Sequence, residues 1–456
     1  MLLNNRHILR STGRRCLVNT ISFNGRRNKT IGSYRFSSTP SKGSGLTSAS
    51  AVQTMQEQQE IFLKSYKIRS SLERLIYHYA QIPLTTISLD GLCEQSKDLS
   101  SSSILQYARD TVESLLTYNA RRIREFRNLP YLVVLNPSIS ESYSIYLETM
   151  HSLITASLNL PTTLEENEKF CNDVLSVFID AHADTLPSIS KGFDEVSRFL
   201  GVEQIKQFLD QHLKERICMR LVAHQHIELS NTLRDSSNFA EGSKYNGVIK
   251  QLDIPTVINK SAELVNDICL MKYDQSVKLE IDTNLYPPNY WSGKSPELDP
   301  KSNTDNYIFP YIEYHLDYIL MELFKNSFRA HIENNVLDPV RVTISISKDP
   351  AYLELRIRDK GKGIRPATLD HMFDYSFSTY ESNEGESFKT LNVPPGLGGN
   401  TIAGIGYGLP LSKNYVEIFN DTLSPNTDGE VKTKGSLTVQ SYYGWGTDVY
   451  LKIVGS

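Results

Sequence analysis

Apolar residues recur at helical spacing over the first half of the chain and alternate with polar ones over much of the second. Residues 56–80 carry Ile61, Phe62, Tyr66, Ile68, Leu72, Leu75, Ile76 and Tyr79, the stripe of an amphipathic helix. The stretches 103–127, 140–158, 164–199 and 202–233 continue the pattern, punctuated by Pro130, Pro137 and Pro161. Four or five long antiparallel helices predict a bundle whose stripes meet in one core. From Ile254 the texture changes. A helix is expected over 257–271, a strand over 277–281, and a Pro-, Asn- and Ser-rich loop over 286–305. Clean alternation marks strands at 340–347 and 352–358, joined by Lys348-Asp349-Pro350-Ala351. Short helices follow at 367–373 and 408–419, and strands at 437–442 and 448–454 close the chain. Helices beside a mostly antiparallel sheet give a two-layer α/β sandwich, so the fold class is α plus α/β. The division expected is a leader over 1–45, a helical region over 46–245 and the sandwich over 246–456.

Between these halves, residues 309–335 read as one helix with two faces, Pro310 fitting its first turn. Ile312, Leu316, Ile319, Leu320, Leu323 and Phe324 belong against a sheet. Glu322, Lys325, Asn326 and Arg329 stand at i, i+3, i+4 and i+7 and share one strip. A mid-helix Asn is a poor helix former, and beside a Glu one turn away it reads as a polar pair aimed at something. Taken alone, the strip is equally a solvated helix face.

Downstream motifs shift that balance. Asp359-Lys360-Gly361-Lys362-Gly363 ends a strand, Gly404-Ile405-Gly406-Tyr407-Gly408-Leu409-Pro410 opens a helix, and Gly444-Trp445-Gly446-Thr447 precedes the last strand. A lone glycine cluster is usually a turn. In this order behind the Glu-Lys-Asn helix, the set resembles the GHKL ATP-binding fold of sensor histidine kinases, gyrase and the mitochondrial pyruvate and branched-chain ketoacid dehydrogenase kinases. No Gly-x-x-x-x-Gly-Lys phosphate loop occurs.

The resemblance implies ATP and Mg²⁺ as cofactors, with Asn326 giving its amide oxygen to the metal and Asp359 accepting from the adenine amino group. It implies that Gly361 and Gly363 let the backbone approach the ring. Gly404, Ile405, Gly406, Tyr407, Gly408 and Leu409 bring N–H groups and a helix start to the phosphates. Ser378 and Thr379 border the nucleotide, and Arg329 and Lys325 offset charge. Glu322 is the expected general base, taking the proton from a substrate hydroxyl. Residues 376–403, with Gly396-Leu397-Gly398-Gly399, are long enough for a mobile lid.

The helical half also resembles the mitochondrial kinases, which other GHKL proteins do not share. His182-Ala183-Asp184-Thr185-Leu186-Pro187 and the Arg216-x-x-x-Arg220 helix ending in Gln225-His226 match that family's wording. There His182, Arg216 and Arg220 line a regulatory pocket for a small carboxylate, a role suited to two guanidinium groups one turn apart. Ile179 stands where pyruvate-sensitive members carry a further Arg, and Tyr318 where many have a His. His182 also mimics a histidine-kinase phosphoacceptor, without the acidic neighbour that box requires.

Charge narrows the setting. Residues 1–45 hold nine Lys or Arg and no acid precedes Glu57, the signature of a mitochondrial transit peptide. Removing those nine charges from the net −4 leaves −13, which argues against nucleic acid as a partner. No apolar run approaches the roughly 18 residues of a membrane span. Cys16, Cys93, Cys171, Cys218 and Cys269 are scattered singly, so neither a zinc site nor a disulfide framework is expected. The expectation is a mitochondrial matrix protein-serine kinase that uses Mg-ATP to phosphorylate and inactivate the α subunit of the pyruvate dehydrogenase complex. It would dock on the lipoyl-bearing core and form a homodimer or a heterodimer with a related kinase. The alternatives are the branched-chain complex as substrate, a non-kinase GHKL ATPase, and a sensor histidine kinase.

Overall fold

The computed structural model describes residues 48–183, 185–235, 239–283, 307–375, 406–422 and 434–455. Residues 1–64 and 65–456 form separate compact units, and the first contributes only the start of helix α1 (Ser48–Gln81) to the description. The second unit opens with α2 (Leu89–Lys97), α3 (Ser101–Asn128), the single turn α4 (Tyr131–Val134) and α5 (Pro137–Leu158). Caps explain several boundaries. Ser88 and Ser100 cap α2 and α3, and Asn136 caps α5 with Pro137 in its first turn.

The stretch expected as one helix over 164–199 is broken. It runs as α6 (Leu164–Phe170), a π-helical turn (Cys171–Ser176), α7 (Val177–Ala183) and α8 (Thr185–Val196). The wide turn adds a residue to the winding, so Phe178 and His182 come to face inward while Val177 stays exposed. Helix α9 (Val202–Arg234) is the spine of the bundle. Its Glu215 is ion-paired with Arg122 of α3, a charge pair with side chains only 1% and 8% exposed.

Strand β1 (Ile249–Asp253) leads into α10 (Ile254–Tyr273), followed by β2 (Leu279–Thr283), β3 (Ile308–Ile312) and α11 (Glu313–Glu333). Here the expected helix over 309–335 needs correction. Residues 308–312 pair antiparallel with β1, Pro310 lying opposite Gln251, and the helix begins at Glu313. Proline lacks an N–H and is tolerated in a two-stranded ribbon as readily as in a first helical turn, so it did not discriminate.

Strands β4 (Val340–Lys348) and β5 (Ala351–Asp359), the single turn α12 (Pro366–Leu369), helix α13 (Gly408–Glu417), β6 (Ser436–Tyr442) and β7 (Gly446–Val454) complete the chain. The sheet order is β2-β4-β5-β7-β6, with β2 parallel to β4 and all other pairs antiparallel. Val342, Ile344, Leu353, Leu355, Ile357, Leu451 and Ile453 are buried on one face, in a core shared with Leu316, Leu320, Leu323 and Phe324 of α11. The opposite face holds charges that pair among themselves, Arg356 and Arg358 on Asp448 and Lys452 on Glu354. Apolar contact is continuous from Ile76 in α1 to Ile453 in β7, so bundle and sandwich share one core. Among the described residues no helix is long and apolar enough to cross a membrane. Cys93, Cys171, Cys218 and Cys269 are free thiols.

Candidate active site

Helix α11 carries the polar strip across the buried layer of the sandwich. Glu322 is only 6% exposed, and it is ion-paired with Lys325 three residues on. Its carboxylate lies against the first residue of α13. A Cβ built on Gly408 would collide with Glu322 Oε2, with Cδ 3.0 Å away, so only glycine fits between helix start and carboxylate. The partial positive charge of the helix N-terminus then faces the acid.

The other end of the strip meets the Asp359 turn. A Cβ on Gly361 would meet Ala330 Cβ at 2.8 Å, and the Lys360 N–H donates to His331 Nε2 at 2.9 Å. That bond makes Nε2 the unprotonated nitrogen, and burial pulls the imidazole pKa down, which keeps it neutral. Between Glu322 and Ala330 the helix rises about 12 Å. Asn326 stands midway, exposed, one turn from each. Arg329 turns to Glu333 at 3.4 Å, a surface pair.

Strand alternation places Asp359 on the buried side, in phase with Leu353, Leu355 and Ile357. Its Oδ1 accepts from the main-chain N–H of Gly361 at 2.9 Å and of Thr447 at 3.2 Å. Burial pushes the carboxyl pKa up to about 6, and those two N–H groups hold it back from rising further. Gly363, at φ 73°, packs against the Tyr442 carbonyl, and Ile364 N–H donates to Ser441 Oγ at 2.7 Å, which joins this turn to the β6–β7 hairpin.

Gly406, Tyr407, Gly408 and Leu409 lie at the start of α13, with Tyr407 buried and capping it. Tyr318, one turn before Glu322, packs at 5.0 Å on Tyr415, and burial followed by the Glu322 charge pushes its hydroxyl pKa upward. Ser378, Thr379, Gly404, Ile405 and the expected lid lie outside the described residues. Sequence reasoning passed over His331 and Ser441 because neither has a local signature. Thr447 was visible in the Gly-Trp-Gly-Thr run.

The three expected regulatory residues converge. Phe178, Ile179, His182, Ala183, Arg216, Met219 and Arg220 line one small pocket. Arg216 Nη2 donates to the carbonyls of His182 and Ala183, so part of its fork holds the end of α7. His182 Nε2 lies 3.0 Å from Thr149 Oγ1. Burial, and then the Arg216 charge, depress its pKa to about 3, so the imidazole is neutral and positive charge in the pocket comes from the arginines. Its enclosure also removes the phosphoacceptor reading of His182. Ile179 gives the pocket an apolar wall where an Arg was the point of departure.

Residues 86–250 match the family described as mitochondrial branched-chain alpha-ketoacid dehydrogenase kinase. Residues 312–454 match the histidine kinase-, DNA gyrase B- and HSP90-like ATPase family. Pyruvate dehydrogenase (acetyl-transferring) kinase 1, mitochondrial, of Saccharomyces cerevisiae is 31% identical over 396 residues, covering 86% of this chain and 90% of that protein. Kinase isozyme 1 of Mus musculus is 26% identical over 74% of this chain and 70% of its own length. Isozyme 4 of Rattus norvegicus is 26% identical over 84% of each. With a helical half and a GHKL sandwich each matched in its own place, the chain belongs to the mitochondrial dehydrogenase kinase family and is a protein kinase.

Proposed function

We propose that this kinase transfers the γ-phosphate of ATP to a serine of the α subunit of the pyruvate dehydrogenase complex, inactivating it, in the mitochondrial matrix. The observation that carries the reading is the buried Glu322 carboxylate, ion-paired with Lys325 and set against the N-terminus of α13. Phosphates at that helix start would meet main-chain N–H groups of Gly408 and Leu409 and lie beside the base. At the other end of the strip Asp359 keeps acceptor capacity after its two main-chain bonds, which suits an adenine amino group.

Asn326 fits a hard cation, being an exposed carboxamide one turn from Glu322. Bound there, Mg²⁺ would neutralise phosphate charge. Glu322 takes the proton from the substrate hydroxyl, and Lys325 holds that carboxylate in place. The residues 1–45 act as presequence, 46–245 as regulatory and partner-binding region, and 246–456 as the ATP-binding kinase domain. The resemblance further supports docking on the lipoyl-bearing core and assembly as a homodimer or a heterodimer with a related kinase.

The branched-chain complex is the second reading, favoured by the family matched over residues 86–250. Mass spectrometry of each complex after incubation with this protein and Mg-ATP separates the two. Phosphoserine on the pyruvate dehydrogenase α subunit supports the proposal; phosphate on the branched-chain subunit alone refutes it.

A further inference from the structure

One hydroxyl joins three elements outside the strip. Tyr375 Oη donates to Asp210 Oδ1 of α9 at 3.1 Å and accepts from Asn414 Nδ2 of α13 at 2.7 Å. The Tyr375 ring packs 5.5 Å from the ring of Tyr407, the residue that caps α13. Asn414 is buried, at 3% exposure, so this bond is not exchanged freely with water. The neighbouring Asp374 pairs with Lys206 of α9 at 2.9 Å, which holds the same stretch to the same helix. Burial and then the Asp210 charge push the Tyr375 hydroxyl pKa upward, so it stays a donor.

We propose that Tyr375 is a positioning residue for phosphoryl transfer: through Asp210, Asn414 in the second turn of α13 and the ring of Tyr407 at its start, it fixes that helix against Glu322. The first main-chain bond of α13, Leu411 N–H to the Tyr407 carbonyl at 3.0 Å, starts from the residue on which Tyr375 packs. Helix α13 packs on α11 and β6 as well as on α9, and the Tyr375 hydroxyl adds a polar tie from α9 to this packing. Because Arg216 and Arg220 lie on α9 as well, a change in that helix reaches α13 through this bond. The consequence for nucleotide rests on the site reading above; the consequence for the helix does not.

The test uses Tyr375→Phe, which keeps the ring, with Asp210→Ala and Asp210→Asn in the full chain. Hydrogen exchange without nucleotide reports the helix, and titration with ADP and ATP reports the site. Tyr375→Phe and Asp210→Ala should each speed exchange over residues 408–417 by about fivefold and weaken nucleotide by a similar factor. The double variant should be no worse than either single one, and Asp210→Asn, which retains an acceptor, should keep most of the affinity. Unchanged exchange in both single variants overturns the inference, as does faster exchange with nucleotide affinity within twofold of the parent. If the parent binds no nucleotide, the site reading falls, and the exchange data alone decide the relay.

Discussion

If Asp359 accepts from the adenine amino group as proposed, its raised pKa couples nucleotide binding to pH. Burial raises its folded pKa from 3.8 to about 6. A carboxyl whose pKa is raised on folding binds its proton more tightly in the native state, so ionising it costs stability above the folded value. For a shift of about two units the cost is about 3 kcal/mol at pH 7.5, relieved progressively as pH falls from about 6 to 3.8. Asn at this position still accepts from Gly361 and Thr447 but carries no charge. Asp359→Asn should therefore melt at or above the parent temperature at pH 7.5, with the advantage about halved at pH 5 and gone below about pH 3.8. Its nucleotide affinity should nevertheless be at least about tenfold weaker, since a neutral acceptor replaces a charged one. In the parent, about one-tenth of Asp359 is ionised at pH 5, so affinity should fall about tenfold between pH 7.5 and 5. Titration of the nucleotide's own phosphates affects parent and variant alike, so the difference between their profiles belongs to Asp359. Calorimetric ADP titrations across that range, with thermal melts of the unliganded proteins, read both effects. Parallel pH profiles for parent and variant would refute the argument.

Other consequences follow from the same geometry. Glu322→Gln should lower kcat at least about a hundredfold in a phosphoryl-transfer assay while nucleotide affinity stays within about twofold, because it removes the base and keeps the shape. Gly408→Ala places a methyl on the Glu322 carboxylate and should lower kcat about tenfold or more, with a folded circular-dichroism spectrum retained. Arg122→Ala leaves Glu215 buried without its partner and should cost about 3–5 kcal/mol in denaturant unfolding; Arg122→Met with Glu215→Leu should recover most of that loss.

The polar strip of α11 and the buried phase of Asp359 were legible because both follow from a local period, 3.6 in the helix and 2 in the strand. The strands at 340–347 and 352–358 were legible for the same reason, each within one or two residues of its observed end. The ribbon of β1 and β3 was not. Ile249–Asp253 offers only Ile249 and Leu252 as apolar residues, and its partner lies 55 or more residues away, beyond α10 and β2. His331 and the Tyr375 bonds escaped notice similarly: a histidine in a last helical turn and a tyrosine in a loop have no spacing that names their partners. The break in 164–199 was hidden because a π-helical turn leaves the apolar content of a helix unchanged and alters only its phase.

That wide turn between Phe170 and Val177 has an implication for how the carboxylate pocket could arise or vanish. One residue fewer in it would rotate α7 by about 100°, moving Ile179 and Ala183 into the inward places of Phe178 and His182. Both newcomers are small or apolar, so the bundle would still close. The imidazole would leave the pocket, while main-chain carbonyls would remain within reach of Arg216. A single-codon deletion would thus take the imidazole out of the pocket while sparing the bundle and the polar strip of α11.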